Sequence, residues 1–393
     1  MAHTSRRRSS RSVANDELIR RAIVDEIAAV GIDSLGPTGV ARRAGLTTGA
    51  VYSRYESVPE MAVDAWVGTV GADHLALLDA VVGPVLAGEQ PDGLERSVTA
   101  LVAPTADTLA AVEIVAAARR VDELDEVVGE DMGQWMQRWG VVGNAGDAVT
   151  RATGAFTLAA TWGVVLYQLA GVSVDDWAVS FRWAERAART EPGPVGRSGS
   201  LGVPEPLVST GDEVRDRLVT ATMEVIGRVG LERTSVARIA RRASLSQGVI
   251  YASHGSKEDL LADTVKVVLI DGLASAERDS LANRPDEDPL TRVAATLSGY
   301  LTAERSAWRH LRLEAHLSAR HHPAVGDALR SAFDEALTTY PLAAGLDPAT
   351  GEAVGPLLRY LAAVTLGMCL VDHYAGPLDA LPWDQVVRSF GAA

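Results

Sequence analysis

The chain has 393 residues, 47% of them hydrophobic and 22% charged, with one cysteine, Cys369. This exceeds an ordinary single domain, suits a globular protein with material for more than one core, and excludes an internal disulfide, which fits a cytoplasmic protein. The formal net charge of −14 argues against nucleic acid, but residues 1–61 hold nine arginines against seven acids and residues 212–266 nine basic against eight acidic groups, leaving −17 on the remainder; two slightly basic segments sit on an acidic body, and DNA binding follows the local footprint.

The N-terminus, MAHTSRRRSSRS, is basic with no apolar run behind it, so residues 1–15 read as an arm and not as a secretory signal. Ile19, Ile23, Ile27 and Val30 then share one helix face, and Gly31 stands past its end, where a left-handed cap needs no side chain. A short second helix takes Pro37 in its first turn and ends near Ala44-Gly45, and a third begins at Thr47, a good N-cap. Residues 16–60 thus form a three-helix head and residues 61–188 a larger helical body. Within that body, residues 152–174 carry no charge and are long enough to cross a bilayer. Three threonines, three glycines and Gln168 interrupt the stretch, so it reads as a buried packing helix. Residues 189–212, rich in Pro, Gly and Ser, read as a linker.

The first pattern then returns. At a constant shift of 199, residues 22–61 pair with 221–260 and twelve of the 40 pairs are identical, among them Gly31/Gly230, the ARRA runs at 41–44 and 240–243, Gly49/Gly248 and Tyr52/Tyr251. Leu218, Thr222, Ile226 and Val229 repeat the first face, Thr234 or Ser235 caps the second helix, and Ser246 caps the third. Residues 213–260 are therefore a second head and 261–393 a second body. The bodies pair more loosely: VEIVAAARR (112–120) with LEAHLSARH (313–321), and TWGVVLYQLAG (161–171) with TLGMCLVDHYAG (365–376), with Trp177 and Phe181 following one and Trp383 and Phe390 the other, the shift drifting to about 204. Two short helices across a tight turn make a helix-turn-helix, whose second helix can enter the major groove; repetition with turn and cap chemistry kept favours this over an ordinary helical hairpin.

These residues resemble the tetracycline-repressor (TetR) family, whose head runs roughly A-x-x-A-G-V-S-x-G-x-x-Y-x-x-F-x-x-K-x-x-L. The second copy matches at Ala240, Ala243, Leu245, Ser246, Gly248, Tyr251, Lys257 and Leu260, the first at Ala41, Ala44, Gly45, Leu46, Thr47, Gly49, Tyr52 and Met61. The family's Phe is Tyr55 in one copy and His254 in the other, and its Lys is Val58 in the first. The resemblance implies an all-α fold, two TetR-like units in tandem, and a transcriptional regulator, not an enzyme, without metal or cofactor. It places Tyr52, Tyr251, Thr47, Ser246 and Lys257 on DNA phosphate. Thr48, Gly49, Ala50 and Arg54 in the first head, and Gln247, Gly248, Val249 and Ser253 in the second, face bases or the groove wall; Gln247 suits adenine and Arg54 guanine. The ARR pairs either approach phosphate or solubilise the second helix. The partners implied are a double-stranded DNA operator and an unidentified small-molecule effector, and no membrane. The two bodies would pair within one chain as a pseudo-dimer, the uncharged helix against its counterpart around 357–375, on an operator with two unlike half-sites; further self-association of the fused chain is left open. Trp135, Trp139, Trp308, His310, Glu314 and His316 are candidate effector-pocket groups. The histidines of 310–322 lack a metal-ligand spacing. A ligand-independent DNA-binding or co-regulatory protein with one degenerate head is the alternative.

Overall fold

The computed structural model describes residues 10–87, 99–143, 147–172, 177, 208–271, 289–343 and 348–388, and every regular element among them is helical. The arm at 1–9, most of the 189–212 linker, Phe181 and Phe390 lie outside the described residues. The chain divides into two compact units, residues 1–76 with 104–131 and residues 77–103 with 132–393.

The first unit holds α1 (Ser10–Val30), α2 (Pro37–Ala44), α3 (Thr48–Tyr52), α4 (Val58–Ala65), a π-helical turn at Trp66–Val70, the start of α5 (Gly71–Ala87), α6 (Ala106–Ala118) and the start of α7 (Asp122–Arg138). α1 begins at Ser10, inside the segment read as an arm. It packs on α2, α4 and α6, burying Ile19, Ile23 and Ile27 completely. Two polar ties fasten the head to α6. The buried Glu113 carboxylate accepts from the Ile32 N–H at 3.1 Å, and Arg120 bonds both Asp33 oxygens at 2.6 and 2.8 Å.

The second unit contains the rest of α5 and α7, then α8 (Ala148–Leu169), α9 (Glu213–Val229), α10 (Val236–Ala243), α11 (Gln247–Ser253), α12 (Lys257–Lys266), α13 (Pro289–Tyr300), α14 (Ser306–Ser318), α15 (Pro323–Ala343), α16 (Pro348–Ala375) and α17 (Trp383–Arg388). α9 packs on α10 and α14 much as α1 packs on α2 and α6. Most of the uncharged stretch lies in α8, which is capped by Asp147, whose carboxylate accepts from the Thr150 N–H at 2.7 Å, and which is buried from Ala152 through Tyr167. Two of the three threonines in the stretch return their hydroxyls to the helix, Thr157 to the Thr153 carbonyl and Thr161 to that of Thr157, which satisfies them within the helix, while the buried Thr153 hydroxyl makes no such bond.

α8 packs along α16. The two backbones meet where neither has a side chain: a methyl group placed on Gly163 would overlap the Ala363 carbonyl, and one on Gly367 would overlap the Ala159 carbonyl. Gly163 and Gly367 stand 204 residues apart, as do Ala159 and Ala363, and this is the shift at which TWGVVLYQLAG and TLGMCLVDHYAG align. The contact is reciprocal, as in an isologous interface between two copies of one surface. A separate continuous helical run, Val58–Ala87, is long and apolar enough to cross a membrane by length and composition.

Candidate nucleic-acid interface

In both heads the turn between the second and third helices closes in the same way. Gly45 and Ser244 are left-handed, with φ of 64° and 54°, and Ser244 is the only non-glycine with positive φ among the described residues. The following leucine N–H reaches back to the second helix, Leu46 to the Ala41 carbonyl and Leu245 to that of Ala240, both at 2.9 Å. This is the six-to-one bond of a Schellman ending, which places an apolar residue just beyond the helix, and it accounts for Ala41/Ala240 and Leu46/Leu245 recurring. Ser235, and not Thr234, caps α10: its hydroxyl accepts from the Arg238 N–H at 3.3 Å, while Thr234 bonds the Gly230 carbonyl. Gly31 and Gly230 have positive φ, 82° and 83°, but ψ of 154° and 161°. This is an extended conformation that only glycine adopts readily, so the expected left-handed cap is replaced by a sharper break.

The third helices stand out from the head cores. Tyr52 is 63% and Tyr251 55% exposed, so both hydroxyls are open to a phosphate. Gly49, Gln247, Gly248 and Ser253 are exposed, while Thr48, Ala50 and Val249 are half-buried. Thr47 caps α3, its hydroxyl accepting from the Ala50 N–H at 3.3 Å; Ser246 stands at the same place before α11 with no such bond. Arg54 ion-pairs with Asp16 and donates to the Ala50 carbonyl at 2.9 Å, so contact with guanine requires that pair to open. Ser253 donates to the Val249 carbonyl at 3.0 Å. Lys257 donates to the Thr234 carbonyl at 3.2 Å, across the start of α10.

The ARR pairs divide. Arg43 pairs with Glu26 of α1, and Arg242 with Glu224 of α9, so the second arginine ties the helix-turn-helix to the first helix. Arg42 and Arg241 are exposed, although Arg42 also comes within 3.9 Å of Glu26. A further tie lies three residues beyond the aligned repeat. The Tyr55 hydroxyl donates to Asp64 at 2.6 Å, and Arg20 donates to the same carboxylate at 3.2 Å. At the matching positions, His254 lies 3.0 Å from Asp263, which also receives Arg215. Burial, then Asp64, push the Tyr55 phenol up. Burial works against the Asp263 charge, yet Arg215 and His254 hold it below the usual carboxylate range. Each third helix is thus tethered, through a residue just past its end, to the first and fourth helices of its head.

Residues 218–264 match the family model described as bacterial regulatory proteins of the tetR family. The second head is therefore similar to TetR-family DNA-binding domains. Among curated proteins, the chain is 37% identical over 87 residues to the HTH-type transcriptional regulator BetI 2 of Chromohalobacter salexigens, covering 22% of this chain and 41% of that one. It is 33% identical over 94 residues to the HTH-type transcriptional regulator BetI of Vibrio campbellii, covering 24% and 47%. The chain therefore spans less than half the length of these relatives. Among solved structures, a transcriptional regulator from Rhodococcus sp. Rha1 matches with a TM-score of 0.36 and 22% identity, over 45% of this chain and 94% of that one.

The effector candidates do not gather at one place. The Trp135 and Trp139 indoles both donate to Asp79 at 2.7 Å. Trp308 donates to the Val268 carbonyl at 3.0 Å, Glu314 is buried and His310 half-buried. His316 is buried and stacks on Tyr167 at 5.7 Å. Arg312, which nothing in the sequence singles out, is buried by the fold beside His316; an arginine in a short helical stretch otherwise reads as a solvated face.

Proposed function

We propose that the chain is a ligand-responsive transcriptional regulator, most simply a repressor acting in the cytoplasm, in which two TetR-like units are fused and act as a single-chain pseudo-dimer. The observation that carries this reading is the reciprocal approach of Gly163 to Ala363 and Gly367 to Ala159 at a shift of 204. In a homodimer the same contact would be made twice by two identical chains. The repeated Schellman turn and the two exposed tyrosines support a DNA-facing role for both heads. The unlike third helices, TTGAVYSRY and SQGVIYASH, imply unlike half-sites, since base-edge contacts carry the specificity. The domain bounds proposed are heads at 16–60 and 213–260 and bodies at 61–188 and 261–393.

Two observations favour the alternative with a degenerate first head: Arg54 is held by Asp16, and Val58 replaces the lysine. Footprinting on a bound operator with each half-site mutated in turn separates the readings. Protection of two unlike half-sites supports the pseudo-dimer, protection of one supports the degenerate head, and no protection at moderate salt removes the DNA-binding reading.

A further inference from the structure

Arg312 lies within the second unit with 5% of its surface exposed, and among the described residues its guanidinium bonds only uncharged groups. One terminal nitrogen donates to Thr365 Oγ1 at 2.7 Å and to the Tyr300 hydroxyl at 3.4 Å, and the other donates to the Ala362 carbonyl at 2.6 Å. Among the described residues no carboxylate bonds it. Asp372, two turns along α16 from Thr365, is engaged by Arg309 at 2.6 Å. The Tyr167 hydroxyl and Cys369 complete the surroundings, Cys369 lying 3.2 Å from the Tyr300 hydroxyl. These groups carry no charge near neutrality. Burial, then the Arg312 charge, push His316 down to about 3, while burial pushes Tyr167 up to about 12 and raises the Cys369 thiol. A buried guanidinium among neutral partners is strongly disfavoured unless an anion joins it.

The fold does not require this charge. Where the two bodies align, at VEIVAAARR and LEAHLSARH, α6 presents Ala111 at the place of Arg312, and Ala111 is buried in an apolar helix that packs on α1 as α14 packs on α9. Aromatic side chains pack beside these groups: Tyr167 contacts His316 at 5.7 Å and Phe333 at 5.4 Å.

We propose that Arg312 anchors an effector site in the second body and that its ligand is a small apolar monocarboxylate, bound once per chain. The planar fork matches a carboxylate bidentately, and Thr365 and Tyr300 can yield to it while Tyr167, His316 and Phe333 flank the apolar part. Ala362 and Thr365 border Ala363, so such a ligand would press on the α8–α16 contact. This deepens the ligand-responsive reading above and rests on it, but its test uses the protein without DNA, so failure of operator binding leaves the readout intact.

The test is thermal unfolding and titration calorimetry of the full chain with benzoate and octanoate, and with benzamide and octanamide as uncharged counterparts. The expected result is a rise of about a few degrees in Tm with at least one carboxylate, one site per chain, and no rise with the matching amide. Arg312→Met is expected to lose the response and, without ligand, to be at least as stable as the parent. If that variant does not fold, Arg312→Lys keeps the charge without the fork and is expected to weaken binding roughly tenfold. Equal shifts from acid and amide, a response retained in Arg312→Met, or no shift from either carboxylate overturns the proposal.

Discussion

Gly163 of α8 lies directly against the Ala363 carbonyl of α16, and its counterpart Gly367 lies against the carbonyl of Ala159. Two bulky helices cannot approach this closely, so the reciprocal glycines set how near the halves of the second unit come. Replacing Gly163 or Gly367 with valine forces the backbones apart and is expected to cost about 1–3 kcal/mol or more. Gly133→Ala, a position with open space around it, is the control and is expected to be neutral or to stabilise by up to about 1 kcal/mol. Urea unfolding of the three variants checks this; equal effects at Gly163 and Gly133 would remove the close contact from the account.

The Arg120–Asp33 pair is 5% and 10% exposed and bonded through both carboxylate oxygens. Removing one partner leaves the other charge buried, so Asp33→Ala is expected to destabilise the first unit by about 3–5 kcal/mol. Asp327→Ala, which breaks the exposed Arg330 pair, is expected to cost under about 1 kcal/mol. Denaturation monitored in both variants distinguishes a buried tie from a surface one.

Arg54 offers a sharper test of the first head. Because Asp16 and the Ala50 carbonyl hold its guanidinium, Arg54→Ala is expected to lower stability while changing operator affinity by less than about threefold. Tyr251→Phe is expected to weaken binding by about 1 kcal/mol, the ordinary worth of a hydrogen bond, or more where its acceptor is a charged phosphate. Gel-shift titrations at two salt concentrations check both; a large affinity loss in Arg54→Ala would mean the ion pair opens on DNA.

Much of each head was legible because caps and turns are local. Thr47 and Pro37 mark helix starts by their own chemistry, Ser246 marks one by position although its hydroxyl makes no cap bond, and the leucine after each second helix follows from the turn it closes. The uncharged run within α8 was equally plain. What stayed hidden was carried by partners distant in sequence. Arg43 and Arg242 look like surface charges until Glu26 and Glu224 meet them. Asp64 and Asp263 fall just past the aligned block, and their partners change from Tyr55 and Arg20 to His254 and Arg215. Arg312 could be told from a solvated arginine only once α13, α14 and α16 had enclosed it.

Acid stability follows from two buried imidazoles. Burial pushes His74 down to about 4, and burial with the Arg312 charge pushes His316 down to about 3. Both are neutral in the fold and take up a proton only on unfolding. Their contribution is therefore complete above the ordinary imidazole value, about 6.5, and declines as pH falls toward those lowered values. His74→Phe is expected to flatten the loss of Tm between about pH 6.5 and 4; an unchanged slope would show that His74 is not the group responsible.

The central claim is that one chain supplies both recognition heads. Selection of bound duplexes from a random pool, followed by native mass spectrometry of the selected complex, tests it most directly. The account predicts one chain per duplex and a site of two unlike halves, the half read by the second head changing when Gln247 is substituted. A strict palindrome occupied by two chains would contradict it.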